Sequence, residues 1–282
     1  DEAPTPISDQ PSSRRSRSGA RTARAAQARQ AEGNAGQAFT RPRRNRLGGV
    51  ELINADALEQ IHDASLHILE NFGIEFMAAD ARAEFVRAGA LSNEETGRVR
   101  LGREMVAAAL ATCPSYFELT PRNPAQKLRL GEDFMNFTLV AGPPAVHDDV
   151  RGRRSGSMAD YIALIKLAQC FDIVHALGNQ PTAPQELPAN TRHLDTYLAN
   201  LRYTDRSFHA SAIGAERALD AIDMMALARG LTREELRDDP GLATVISINS
   251  PRKVDSAMTD GLRAMAAVSY THLRAHETGR NV

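Results

Sequence analysis

The chain has 282 residues, 42% of them hydrophobic and 24% charged, enough for one large or two ordinary domains with a buried core. Its 34 Lys and Arg balance 35 Asp and Glu, and the net charge of -1 excludes an overall pull towards nucleic acid, membrane or acidic substrates. No apolar run approaches the roughly 18 residues of a membrane span, and the start has no apolar export core, so a cytoplasmic location is expected.

Residues 1–46 are rich in Arg, Ala, Ser, Gln and Gly (SSRRSRSGARTARAAQARQ, then RPRRNR), with Ile7 and Phe39 the only large apolar side chains. Such a stretch cannot bury enough surface to offset its ordering entropy, so a disordered Arg-rich tail is expected. No aromatic residue is interleaved among the arginines to stack on a base, which favours a solvated tail over a nucleic-acid partner.

Order begins at Leu47, and residues 47–135 read as an N-terminal α+β segment. In INADALEQIHDASLHILENFGIEF, Leu58, Ile61, Leu66, Leu69 and Phe72 recur mostly at three and four, with Asn54 or Asp56 to cap the helix and Gly73 to end it. A second helix covers about 80–87 and stops at Gly89; RVRL (98–101) is extended; REMVAAALATC is a third helix. FELTPRNPAQKLRLGEDFMNFTLV holds two or three strands, broken by turn signals at Arg122-Asn123-Pro124 and Gly131. Cys113 and Cys170 both sit in helical patterns, which provides no disulfide framework or metal spacing and suggests buried or half-buried thiols.

From residue 136 to 267 strands and helices alternate. AVHDDV and GRR form a hairpin, with Asp148 and Asp149 before Arg151, Arg153 and Arg154 as a charge-stabilised turn. There follow the helix MADYIALIKLAQC, the strand DIVHALGNQP, the helix NTRHLDTYLANLRY, the strand RSFHASAIG, the helix ERALDAIDMMALARG, the strand ATVISINSP and the helix VDSAMTDGLRAMAA. Three repeats are clear, and a fourth strand lies before Met158. This rhythm implies parallel βαβ units. A TIM (β/α)8 barrel takes about 250 residues, so the fold class is α/β, with about the first half of such a barrel present.

Working residues in parallel α/β folds lie at the carboxyl ends of strands. Those ends supply Asn179 and Gln180 after HALG, His209 and Ser211 in FHASAIG, and Asn249 and Ser250 after VISI. They are neutral donors suited to a carboxylate or phosphate at a helix start, and they have structural readings too. Ser250 with Pro251 reads equally as an N-cap and first helical residue, and His209 as a satisfied strand histidine. His175 is expected to point into the barrel core or the helix layer. No HxH, CxxC, GxGxxG, GxxxxGK[ST] or GxSxG pattern occurs, so no bound metal or nucleotide is expected.

INADALEQIHDASLHILENFGIEF, EFVRAGA with RVRLGREMVAAALATCPSYFELTPRNPAQKLRLG, GRRSGSMADYIALIKLAQCFDIVHALG and VISINSPRKVDSA together resemble the trimethylamine methyltransferase family over about residues 47–267. The resemblance implies a TIM-barrel enzyme that moves a methyl group from a tertiary or quaternary amine, trimethylamine or a betaine, to the cobalt of a separate corrinoid protein. The corrinoid (cobalamin) would be carried by that partner, and the full-length protein would be a homo-oligomer. Some family members carry pyrrolysine in the later half of the barrel, so the subclass and the catalytic residues stay open. A cation calls for an aromatic cage, either in that later half or from Tyr203 and Phe208, and a betaine carboxylate calls for donors such as Asn249, Ser250 and Ser211. The family commonly continues its last motif as Ser-Pro-Leu, where this chain has Ser250-Pro251-Arg252.

After Val268 the string SYTHLRAHETGRNV has neither a helical nor a strand period, and residues 268–282 are expected to be a non-native tail. The alternative to an enzyme is a non-catalytic binding protein or an inactive truncated homologue. Half a barrel leaves an open parallel edge and exposed apolar helix faces, so aggregation or dimerisation of the isolated chain is expected.

Overall fold

A computed structural model describes residues 43–45, 51–140, 142–268 and 272–273. Arg43–Arg44 (β1) pairs antiparallel with Phe134–Met135 (β7), and the Asn45 N–H donates to the Asp133 carbonyl at 2.7 Å. The Arg44 guanidinium lies 4.7 Å from the centre of the Phe134 ring. The end of the stretch expected to be disordered is therefore anchored, because a ladder and a ring offset the cost of ordering it. The remainder of that expectation, residues 1–42 and 46, lies outside the described residues.

Helix α1 (Ala55–Asn71) is capped by Asn54, whose side chain accepts from the Ala57 N–H at 2.8 Å. Gly73 ends it at φ +67, where an added Cβ would stand 2.3 Å from the Val99 carbonyl oxygen. Then come β2 (Ile74–Phe76), α2 (Ala79–Arg87), β3 (Leu91–Asn93), β4 (Arg98–Arg100) and α3 (Arg103–Ala111). β2 and β3 both pair antiparallel with β4, and a strand from far along the chain, β13 (Lys253–Val254), joins β2 in parallel. Phe76, Ala90, Val99 and Val254 form the core of this unit. Residues Tyr116–Leu119 (β5) and Leu128–Gly131 (β6) make an antiparallel hairpin.

The β8–β9 hairpin (Ala145–Asp148, Gly152–Ser155) is held by the Asp148 carboxylate, which accepts from the N–H groups of Val150 and Arg151 at 3.1 and 2.7 Å. The Arg151 backbone donor and the Arg151 and Arg154 guanidiniums lower its pKa to about 2. The charged turn expected from the sequence is thus present. Helix α4 (Met158–Gln169) opens with a capping box between Ser157 and Asp160.

The main sheet follows: β10 (Ala176–Leu177), β11 (Ser207–Ala210), β12 (Ala243–Ile246) and β14 (His272–Leu273), adjacent in that order and all parallel. Helices α5 (Arg192–Tyr203), α6 (Ala215–Arg229), α7 (Arg233–Asp238) and α8 (Ser256–Val268) lie between them in sequence. Thr138 bridges Ala176 in parallel, so the stretch before β8 reaches the sheet's first edge. Tyr161, Ile165, Tyr197, Ile222, Met225 and Met265 of the helices pack on Leu177, Phe208 and Ala210 of the strands. On the other face Ala176 and Ala243, at the amino ends of β10 and β12, meet Leu119 and Leu128 of the β5–β6 hairpin. The result is a mixed α/β fold with a parallel sheet, and no closed barrel forms among the described residues.

Three local readings need correction. Cys113 and Cys170 are exposed, since each follows the last turn of a helix with its sulfur near that turn's carbonyls, Ala109 at 3.7 Å and Lys166 at 3.3 Å. The stretch after Val268, read as free of strand, contributes β14, with Val245 opposite His272. Two residues carry no period, so only pairing reveals them; residues 269–271 and 274–282 lie outside the described residues. Finally, α7 has no counterpart in the sequence reading, although its Thr232 and Glu235 form a capping box visible as T-R-E-E.

Candidate functional site

Along β11, Phe208 and Ala210 belong to the helix-side core, so strand alternation puts Ser207, His209 and Ser211 on the opposite face. His209 stands opposite Ala243, whose neighbours are on that face, and is half-buried there. Ser211 follows directly at the carboxyl end. Its N–H donates to the Tyr197 hydroxyl at 2.7 Å, and its own hydroxyl accepts from Ile213 N–H at 3.4 Å.

Asn179 and Gln180 follow the adjacent strand β10 and are half-buried. The Gln180 carbonyl accepts from Gly142 N–H at 2.7 Å, and its amide donates to the Thr196 hydroxyl at 3.4 Å. The β10–β11 register therefore brings Asn179, Gln180, His209 and Ser211 to the carboxyl ends of two neighbouring strands.

Asn249 and Ser250 are placed differently. They are exposed in a turn closed by two backbone bonds of 2.8 Å between Asn249 and Lys253, which leads into β13 and the other sheet. Neither caps α8: that helix starts at Ser256, and Asp255 accepts from Met258 N–H at 2.7 Å. The Asn249 amide donates to the Asp255 carboxylate at 3.3 Å. The strand ran on in the sequence reading because a jump to a distant sheet leaves no local signal.

The cage candidates also fall elsewhere. Phe208 is fully buried under the helices, and Tyr203 ends α5 with Lys166 above its ring at 4.5 Å. His175 is buried, its Nδ1 accepting from Phe137 N–H at 3.0 Å.

Sequence reasoning passed over the support behind Ser211. Tyr197 is buried on α5, with its ring 5.6 Å from those of both His193 and Phe208. Burial pushes its phenol up to about 12, so it stays a neutral hydroxyl. One turn earlier, His193 Nε2 meets the Asp220 carboxylate of α6 at 2.7 Å, while its Nδ1 is buried without a hydrogen-bond partner among the described residues. The Asp220–His193 pair thus packs through a ring contact on Tyr197, which in turn accepts from the strand end. Its signal was the row of polar and aromatic residues at helical spacing, His193, Tyr197 and Asn200, all buried. Among the described residues no group of three His, Cys, Asp or Glu side chains converges to hold a metal ion.

A family model described as trimethylamine methyltransferase matches residues 16–274. The chain belongs to the trimethylamine methyltransferase family. Within that family it is 32% identical over 215 residues to the glycine betaine methyltransferase of Desulfitobacterium hafniense strain Y51, covering 76% of this chain and 44% of that one. It is 24% identical over 225 residues to a trimethylamine methyltransferase of D. hafniense strain DSM 10664 / DCB-2, covering 77% and 44%. With the proline betaine:corrinoid methyltransferase of Eubacterium limosum it shares 25% over 136 residues, 48% of this chain and 27% of that one. The chain spans about 44% of the length of the first two relatives. The family match extends on both sides beyond the 47–267 stretch that carries the resemblance, into the Arg-rich segment and as far as β14. No described helix is long and apolar enough to cross a membrane.

Proposed function

We propose that the protein serves methyl transfer from a quaternary amine of the betaine type to the cobalt of a corrinoid protein, its parallel sheet being the first half of a (β/α)8 barrel. The observation that carries the substrate class is the chemistry of the strand ends: Asn179, Gln180, His209 and Ser211 include no carboxylate. When a quaternary nitrogen loses a methyl group as a cation, the bonding pair stays on nitrogen and the product is a neutral tertiary amine. That step needs no proton donor. Trimethylamine yields a neutral product in the same way only from its protonated form, and His209 is the one titratable side chain among the four residues; what sets the betaine apart is its carboxylate, which no strand-end carboxylate is present to repel. The amides and the Ser211 hydroxyl are donors that suit a betaine carboxylate.

The corrinoid, carried by a partner, supplies the nucleophile for the methyl group. This chain's part is to hold the substrate. Ser211 presents its hydroxyl from a backbone fixed by Tyr197, and Gln180 is positioned through Thr196. The relatives named for glycine betaine and proline betaine support the same class.

Calorimetric titration with glycine betaine and with trimethylamine tests this reading. Tighter binding of the betaine is expected, weakened about tenfold by Ser211→Ala, the effect of losing one hydrogen bond to a charged group. Absence of betaine binding, or equal binding of trimethylamine, overturns it. Because the chain spans about 44% of its relatives, a transfer assay with a corrinoid acceptor is needed beside the titration. Binding without transfer identifies a non-catalytic binding chain.

A further inference from the structure

Helix α1 is amphipathic, yet none of its residues is buried. Leu66 and Leu69 are half-buried on the inner side, whereas Leu58, Ile61, Ile68 and Phe72 are 60%, 56%, 38% and 51% exposed. With Ser65 between them these residues follow a 3-4-3-4 spacing, the seam of a helix pair. The Ser65 hydroxyl donates to the Ile61 carbonyl at 2.8 Å, so it brings no unmet polar group to that seam.

Charge is distributed unevenly along the stripe. At the amino end Asp56 and Glu59 have no cationic partner among the described residues, while Asp63 and Glu70 are both engaged by Arg103, at 2.5 and 3.2 Å. At the carboxyl end Arg252 lies 5.8 Å from the centre of the Phe72 ring and donates to the Gly73 carbonyl, with no carboxylate in ion-pair range among the described residues. Arg98 and Arg100 line the adjoining hollow with Asn71 and Phe72.

We propose that α1 is a self-association surface on which a second copy of this chain docks through its own α1, antiparallel about a two-fold axis at Ser65. That arrangement sets Leu58 against Phe72 and Ile61 against Ile68 of the second copy. It also carries Asp56 and Glu59 of each copy to the Arg252 end of the other, so the charges complement one another and the helix dipoles oppose. The flanking positions Ala57, His62, Ala64, Leu69 and Asn71 hold no carboxylate to repel the partner. The inference is independent of the proposed substrate.

Sedimentation velocity across a concentration series tests it. The chain is expected to dimerise, and Ile61→Asp with Ile68→Asp, both at exposed positions, should weaken the dimer by about 100-fold or more while the circular dichroism stays unchanged. Arg252→Glu should weaken it about tenfold, with recovery on adding Glu59→Arg. In a background of Cys113→Ser and Cys170→Ser, Ser65→Cys should form a covalent dimer under mild oxidation. A chain that remains monomeric at high concentration overturns the proposal. So does association that ignores the double Asp variant, which would locate contact at the open sheet edge, or a failure of Ser65→Cys to cross-link.

Discussion

Gly261, in the middle of α8, sets local propensity against packing. In an isolated helix, Gly→Ala stabilises by about 1 kcal/mol. Here a Cβ on Gly261 would lie 1.8 Å from the Ala212 carbonyl oxygen and 2.5 Å from its carbon, against ordinary contacts of 3.4 Å and more. The helix or the β11–α6 loop would have to give by roughly 1.5 Å or more. That loop is pinned, since Gly214 N–H donates to the Ala257 carbonyl at 2.9 Å and Ala212 is buried. Overpacking of this kind costs about 1–3 kcal/mol, and taking the upper end less the propensity gain leaves Gly261→Ala about 2 kcal/mol less stable. For an ordered region of this size that lowers Tm by about 4–8 °C. Thermal unfolding followed by circular dichroism reads it directly, and a rise in Tm would show that α8 does not approach the Ser211 loop so closely. The proposed betaine binding should weaken in parallel, because the displaced backbone adjoins Ser211.

Two further outcomes follow from the polar contacts. Tyr197→Phe keeps the ring against His193 and Phe208 but removes the acceptor of the Ser211 N–H; a loss of about 1 kcal/mol is expected, with faster hydrogen exchange at the Ser211 amide, and unchanged exchange there would refute the contact. Asp148 has a folded-state pKa of about 2 against an ordinary 3.8. Its contribution is therefore complete above about pH 4 and disappears as the pH falls through 2. Asp148→Asn should flatten the decline of the urea midpoint in that window, and identical slopes for the two proteins would exclude the link.

Much of the fold was legible in short-range pattern. Asn54 and Gly73 bracket α1 as their chemistry requires, the Arg122-Asn123-Pro124 signal falls between β5 and β6, and the alternation from residue 136 onward yields parallel strands with helices between. The placement of the candidate residues was half legible. Strand ends could be read for Asn179, Gln180, His209 and Ser211, whereas Asn249 and Ser250 were assigned by the same rule and belong to a turn entering another sheet. Tyr197, His193 and Asp220 went unremarked because residues that are polar at a helix surface and polar inside a core look alike in one dimension.

The amino-acid sequence by itself determined the α/β class, the order of the elements and the neutral chemistry of the strand ends, all of which depend on residue type and spacings of a few positions. Tertiary structure alone decided that β13 joins β2 across the chain, that two residues at 272–273 extend the parallel sheet, that Tyr197 braces Ser211, and that the apolar stripe of α1 faces outward. Each of these depends on which distant surface a segment meets, and strand pairing and burial are set by contacts between residues that share no local pattern.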